Sequence, residues 1–380
     1  MIYLDNSATT KPLPEVIDSF VKVSKDFFGN PSSLHGVGGQ SERLLGQARS
    51  QIAQLLSVKQ KEIYFTSGGT EGNNLAIKGI ALAYKDRGKH LITTTIEHAS
   101  VREPFKQLER MGFEVTEIPV DSNGRVHVAD IEKAIRPDTI LVSVMHVNNE
   151  VGTIQPIEEI GQLLNNHPKI LFHVDHVQGI GKVPLDLNKS NVDLCTISAH
   201  KFHGLKGNGL LFVRDGVNIH PLFTGGSQEG KVRSGTENVA GVVSMSKALR
   251  LILDKFQSDI EQLRTVSHEL RRGLEKIDGI VINTPEKFAA PHIINFSVPH
   301  VKSEVFVHAL EEKDIYVSTT SACSSKQKTI SNTLIAMGIS EERAGSAIRL
   351  SLSYYNTMDE VKKVLSAVEQ TVEGLRKVMK

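Results

Sequence analysis

The chain has 380 residues, with 44 Lys and Arg against 43 Asp and Glu, a formal charge of +1. That length exceeds one ordinary domain and predicts a large domain plus a smaller one, while the near-zero charge provides no bulk attraction toward nucleic acid or anionic membranes. The opening MIYLDNSATT lacks a basic stretch followed by an apolar one, and no apolar run is long enough to span a bilayer, so the expectation is a cytoplasmic protein with no membrane and no direct nucleic-acid partner.

Short β-branched runs alternate with helical patterns through the first two-thirds: Glu62 to Thr66, His90 to Thr95, Thr139 to His146, Ile170 to Val174, Val192 to Ser198 and Gly209 to Val213. Such alternation predicts an α/β domain with a largely parallel sheet, placed at residues 14–255. The periodic stretch from Gly241 to Lys276 reads as a long helix or a bent pair. Beyond it, strand candidates at Ile280 to Ile282, His292 to Ser297, Ile315 to Ser318 and Ala347 to Leu352 alternate with helices near Lys302 to Lys313 and Thr357 to Val378. This is α+β material for a smaller domain of residues 1–13 and 256–380. Between Ser318 and Asn332 the chain reads STTSACSSKQKTISN, which buries little and predicts a mobile loop over about residues 319–332.

Only two cysteines occur, without a CxxC pair, so neither a zinc cluster nor a disulfide framework is suggested. Cys195 lies in the apolar run Val192 to Ile197 and reads as a small buried hydrophobe. Cys323 sits among Ser, Thr, Ala and Lys, where nothing apolar hides a thiol. The 15 histidines include no HExxH set, and His173 with His176 is a weak pair, so no metal is expected.

Three features point to chemistry. Ser67-Gly68-Gly69-Thr70 follows a strand-like run and opens a helical pattern, the arrangement in which backbone N–H groups cradle a phosphate; many α/β turns carry such glycines with no ligand. Asp175 ends an apolar strand, where ligands of open α/β sheets gather. A carboxylate there suits the protonated nitrogen of a pyridoxal ring, and a solvated strand-end aspartate accounts for it equally well. Lys201 follows another strand within Ser198-Ala199-His200-Lys201 and has the amine that Schiff-base chemistry requires. A lone lysine is an ordinary surface charge; the ordered set of glycine loop, strand-end aspartate and lysine sets this one apart.

The motifs Tyr3-Leu4-Asp5-Asn6-Ser7-Ala8-Thr9-Thr10, Asn30-Pro31-Ser32-Ser33, Thr66-Ser67-Gly68-Gly69-Thr70-Glu71 and Glu97-His98 span the first quarter of the chain. Met145-His146-Val147-Asn148-Asn149-Glu150-Val151-Gly152, His200-Lys201, Arg233-Ser234-Gly235-Thr236, Ser321-Ala322-Cys323-Ser324-Ser325 and Arg349-Leu350-Ser351 continue the series. With them the chain resembles fold-type I pyridoxal-phosphate enzymes of the class V aminotransferase family, and more closely cysteine desulfurases of the NifS/IscS type. The resemblance implies pyridoxal 5'-phosphate bound to Lys201 as a Schiff base, Asp175 on the ring nitrogen, His98 stacked on the ring and moving protons, and Gln178 at the ring hydroxyl. It implies Asn149 beside Gln178 and near the substrate, Gly69, Thr70, Ser198 and His200 on the phosphate, and Thr236 reaching across from the second subunit of a homodimer. Arg349 is implied to clamp the substrate carboxylate in bidentate fashion.

The implied reaction converts L-cysteine to L-alanine and leaves the sulfur as a persulfide on Cys323 for an acceptor protein, either an iron–sulfur scaffold or a tRNA-thiolating enzyme. Another fold-type I aminotransferase or lyase shares Lys201 and Asp175 but has no need of Cys323. Two runs depart from the family: Ser318-Thr319-Thr320 stands where relatives often have Ser-Ser-Gly, and His176-Val177 where many have Ala-Thr.

Overall fold

A computed structural model describes residues 1–319 and 330–378. The chain enters through β1 (Ile2–Tyr3) and two helices, α1 (Pro14–Asp26) and α2 (Gly36–Leu55). Pro14 opens α1 where a missing N–H costs nothing, and the His35 ring caps α2 by accepting from Gly38 N. An alternating stretch follows: β2 (Ile63–Thr66), α3 (Gly69–Tyr84), β3 (His90–Thr94), α4 (Ala99–Arg110), β4 (Glu114–Ile118), α5 (Val128–Ala134) and β5 (Thr139–Met145). It continues through α6 (Ile157–Leu164), β6 (Leu171–Asp175), β7 (Leu194–Ser198) and β8 (Gly209–Val213).

Among the described residues these strands form one seven-stranded sheet, in the order β2-β8-β7-β6-β5-β3-β4. Strands β4, β3, β5, β6 and β7 run parallel, while β8 is antiparallel to both of its neighbours. Strands β3, β5, β7 and β8 are buried along their whole length, which is why they read as continuous apolar runs rather than as alternation. Strand β4 did not stand out in the sequence. It is a sheet edge, and its Glu114 and Glu117 stay in water, as edge strands require.

Helix α7 (Val239–Glu275) is one uninterrupted helix of 37 residues, which settles the choice between a long helix and a bent pair. It packs against α1 and α2 and also against the next strands, β9 (Val281–Ile282) and β10 (Ile293–Ser297). Then come α8 (Ser303–Glu311), β11 (Ile315–Tyr316), β12 (Ser318–Thr319), α9 (Asn332–Ala336), α10 (Glu341–Gly345), β13 (Ala347–Ser351) and α11 (Met358–Val378). The single strand expected from Ile315 to Ser318 is thus two short ones in different sheets. Strands β12, β13, β10 and β9 form an antiparallel sheet, whereas β11 pairs in parallel with β1, so the N-terminal residues join the C-terminal part of the fold. Among the described residues no helix is long and apolar enough to cross a membrane, and no group of three or more metal-ligating side chains is present.

Candidate active site

The carboxyl ends of β5, β6 and β7 lie side by side, with Met145 paired to Asp175 and Asp175 to Thr196. Here the sheet delivers polar side chains into one space, as open α/β sheets do. Asp175, 6% exposed, ends β6. Its Oδ1 accepts from Val177 N at 3.0 Å and its Oδ2 from the Asn73 amide at 2.7 Å. The same amide nitrogen donates to Ser100 Oγ at 2.9 Å, and Ser100 Oγ lies 2.8 Å from His98 Nδ1. A buried chain of polar groups therefore runs from Asp175 through Asn73 and Ser100 to His98.

His98 is the N-cap of α4 and accepts from Ser100 N through Nδ1, which occupies that nitrogen and leaves Nε2 on the other side of the ring. Burial lowers its affinity for a proton, Asp175 partly restores it, and Lys201 and Arg102 lower it further. Beneath it lies Glu97, whose Oε1 accepts from Thr94 Oγ1 and Met145 N, while its buried Oε2 has no partner. Burial pushes this carboxyl up to about 8, so it is largely protonated at neutral pH.

Lys201 closes the short 3-10 turn Ala199–Lys201 that follows β7. Its Nζ donates to the carbonyls of Ser7, at 2.5 Å, and Ala8, at 2.9 Å. Gln178 Nε2 donates to the same Ser7 carbonyl at 3.0 Å, so Gln178 and Lys201 meet on one main-chain oxygen. His200 Nδ1 lies 3.1 Å from Thr9 Oγ1, and burial and then the Lys201 charge lower its pKa to about 4. The segment from Ser7 to Thr10 thus forms a wall of the lysine pocket.

The glycine loop faces the same space. Gly68 has φ +149°, a conformation open to glycine, and it offers no side-chain cap to the first-turn N–H groups of α3. A Cβ on Gly69 would stand 3.0 Å from Val177 Cγ2 and 3.6 Å from the Ser198 Cβ. The α3 terminus, Val177 and Ser198 therefore surround a small space that glycine keeps open. Thr70 is exposed in the first turn of α3.

Arg349 projects from β13 and is 3% exposed. Its Nη1 donates to the Asn149 carbonyl at 2.9 Å, its Nη2 to Asp5 Oδ1 at 2.9 Å, and its buried Nε has no partner. Asn149 reaches this guanidinium through its main chain. Thr236 is exposed in the loop ahead of α7, and that loop is tethered to the first turn of α3 by the Arg233–Glu71 ion pair at 2.8 Å. Cys323 lies outside the described residues. The fold therefore gathers Gly69, His98, Asp175, Gln178, Ser198, His200, Lys201 and, through Asn149 and the N-terminal segment, Arg349. Reasoning from sequence assigned no role to Asp5, Ser7, Asn73, Glu97 or Ser100, although Asp5, Ser7 and Glu97 fall inside recognised motifs.

A family model described as Aminotransferase class-V matches residues 2–364. A "NifS/IcsS protein homolog" of Lactobacillus delbrueckii subsp. bulgaricus is 46% identical over 380 residues, covering 100% of this chain and 99% of the relative. "Cysteine desulfurase IscS" of Dictyoglomus turgidum is 44% identical, covering 99% of this chain and 96% of the relative. Among solved structures, a "NIFS-LIKE PROTEIN" superposes with a TM-score of 0.92 at 38% identity, over 98% of this chain and 99% of that one. "SspA in complex with cysteine" superposes with a TM-score of 0.83 at 34% identity, over 94% of this chain and 100% of that one. With a match over nearly its whole length and a site assembled on a mostly parallel sheet, the chain belongs to the class V aminotransferase family of fold-type I pyridoxal-phosphate enzymes.

Proposed function

We propose that the chain is a cysteine desulfurase, converting L-cysteine to L-alanine and leaving the sulfur as a persulfide on Cys323. The observation that carries the reading is the convergence of Lys201 Nζ, the buried Asp175 carboxylate and the Gly68-Gly69 turn at one end of the sheet. These groups fit pyridoxal 5'-phosphate. The turn leaves room and N–H groups for a phosphate, the anchored carboxylate suits a ring nitrogen, and the amine suits a covalent link. When bound, the cofactor supplies an electron sink for the bond broken at the substrate Cα.

The chain's own residues do the rest. Lys201 would hold the cofactor, and its amine is the base placed to take the substrate Cα proton and to return it in alanine. Thr70, Ser198, His200 and the Gly69 backbone would hold the phosphate, Gln178 and Asn149 would hold the ring, and His98 would face it with Nε2 free to hold a proton. Arg349 receives the substrate carboxylate. The Cys323 thiolate attacks the substrate sulfur; the S–S bond forms as the Cβ–S bond breaks, and its electron pair takes a proton to give the methyl group of alanine.

The same reading makes the enzyme a cytoplasmic homodimer, with Thr236 completing the partner's phosphate site, and divides the chain into a large domain of residues 14–255 and a small one of 1–13 and 256–380. The sulfur passes to a protein acceptor, an iron–sulfur scaffold or a tRNA-thiolating enzyme. The test is Cys323→Ala. The variant retains the visible absorbance of bound cofactor and loses alanine formation from cysteine. Undiminished turnover assigns the chain to another aminotransferase or lyase reaction.

A further inference from the structure

Lys182 is 4% exposed, and among the described residues it forms no ion pair with a carboxylate. Its Nζ donates to a single main-chain oxygen, the carbonyl of Lys201, at 2.9 Å. The turn that carries it is fixed from several sides. Gly181, at φ +65°, packs against Ile252 of α7, Tyr354 Oη donates to the Gly181 carbonyl at 2.6 Å, and Lys182 N donates to Gly179 O.

Three histidines lie on its inner side. His176 follows β6, His203 follows the Lys201 turn, and His292 precedes β10 with both ring nitrogens buried and without a partner; burial, and after it the Lys182 charge, disfavours a proton on each. On its other side Lys182 borders a cleft of about 830 Å³. Across that cleft α7 presents Arg264, His268, Arg271, Arg272 and Glu275, and the segment ahead of β10 presents Glu286. Arg264 is paired to Glu261, Arg272 to Glu269 and Arg271 to Glu275. Among the described residues neither Glu275 nor Glu286 is paired to Lys182, and Glu275 is held by Arg271. Burial and then repulsion from Lys201 bring its pKa down to about 7.

A neutral amide in this position makes the same hydrogen bond to a carbonyl without the cost of burying an amine. The use of lysine therefore calls for a role for its charge. We propose that Lys182 is a positioning residue for Lys201: it anchors the Lys201 carbonyl, so fixing the turn that aims Nζ at the cofactor, and it sets a positive charge beside the nitrogen that holds the cofactor. This rests on the assignment of Lys201 as the cofactor lysine.

The test is a pH titration of the visible absorbance of the cofactor-bound enzyme, in wild type, Lys182→Met and Lys182→Gln. Losing the positive charge that Lys182 carries below about pH 7 favours the protonated form of the nitrogen at Lys201 in that range, so both variants shift the midpoint upward, by about half a pH unit or more. Lys182→Met also loses the anchor, and its apoenzyme captures added pyridoxal phosphate about tenfold more slowly, whereas Lys182→Gln keeps a donor and captures it at the wild-type rate. An unmoved midpoint in a variant that binds cofactor overturns the proposal. If neither variant folds, the wild-type curve decides: two inflections, one of them near neutrality, support it, and a single-site curve overturns it. A wild-type protein with no visible absorbance on reconstitution removes the cofactor assignment of Lys201 instead, a result distinguishable from either.

Discussion

Arg349 already holds a carboxylate: its Nη2 lies 2.9 Å from Asp5 Oδ1. Burial pushes the Asp5 carboxyl up, and the guanidinium pulls it back toward the ionised form. On the proposed role of Arg349, a substrate carboxylate arriving here meets a cation that Asp5 has partly neutralised. Asp5→Asn keeps an acceptor oxygen for Nη2 and removes the competing charge. The KM for cysteine is expected to fall about three- to tenfold with kcat within about twofold; steady-state kinetics showing a raised KM refutes this. Arg349→Lys, which loses the bidentate fork, raises KM by about tenfold or more.

The Asn73 amide supports Asp175 at 2.7 Å and joins it to Ser100 and His98. Asn73→Ala leaves a buried carboxylate oxygen without its donor, a loss of about 1–3 kcal/mol. Cofactor binding is expected to weaken about 10- to 100-fold, read by absorbance titration of the apoenzyme. Asn73→Asp sets a second carboxylate against Asp175 and binds more weakly still.

Glu97 makes stability depend on pH. The folded chain keeps this proton up to about 8, whereas the unfolded chain sheds it near the ordinary glutamate value. Between those limits the unfolded state binds fewer protons, so the contribution of Glu97 to stability falls as pH rises. Glu97→Gln does not titrate. Its Tm, relative to wild type, is therefore expected to rise steadily from about pH 5 to about pH 8; a difference that stays flat in calorimetry over that range means that the folded carboxyl is ionised.

Cys195 is fully buried in β7, and burial pushes its thiol well above the usual range. In Cys323→Ala an aromatic disulfide reagent is expected to find no reactive thiol in the native protein and one in concentrated denaturant. Release of chromophore without denaturant contradicts the placement of Cys195 in the core.

Most strands of the large sheet were legible because a strand covered on both faces must be apolar throughout, and Thr139–Met145 or Gly209–Val213 has few other readings. Strand β4 was not, since its outward glutamates resemble loop composition. Asp175 and Lys201 were visible as polar residues that end such runs. Asn73 and Ser100 were not. Each is a polar residue in the early part of a helix, and only tertiary packing brings them within 2.9 Å across 27 residues of sequence. Lys182, within Gly181-Lys182-Val183-Pro184, has the composition of a surface turn. Its turn is held inside the fold because Ile252 and Tyr354, far along the chain, meet Gly181.

The pairing of β1 with β11, and of Asp5 with Ser351, has a consequence for the order of events during synthesis. Ser7 and Ala8, whose carbonyls meet the Lys201 amine, are made long before the strands that hold them in place. The lysine pocket therefore lacks a wall until translation has passed Ser351. A nascent chain ending near residue 300 contains Lys201, Asp175 and the glycine loop and still lacks the strands that hold the Ser7 and Ala8 wall against the lysine.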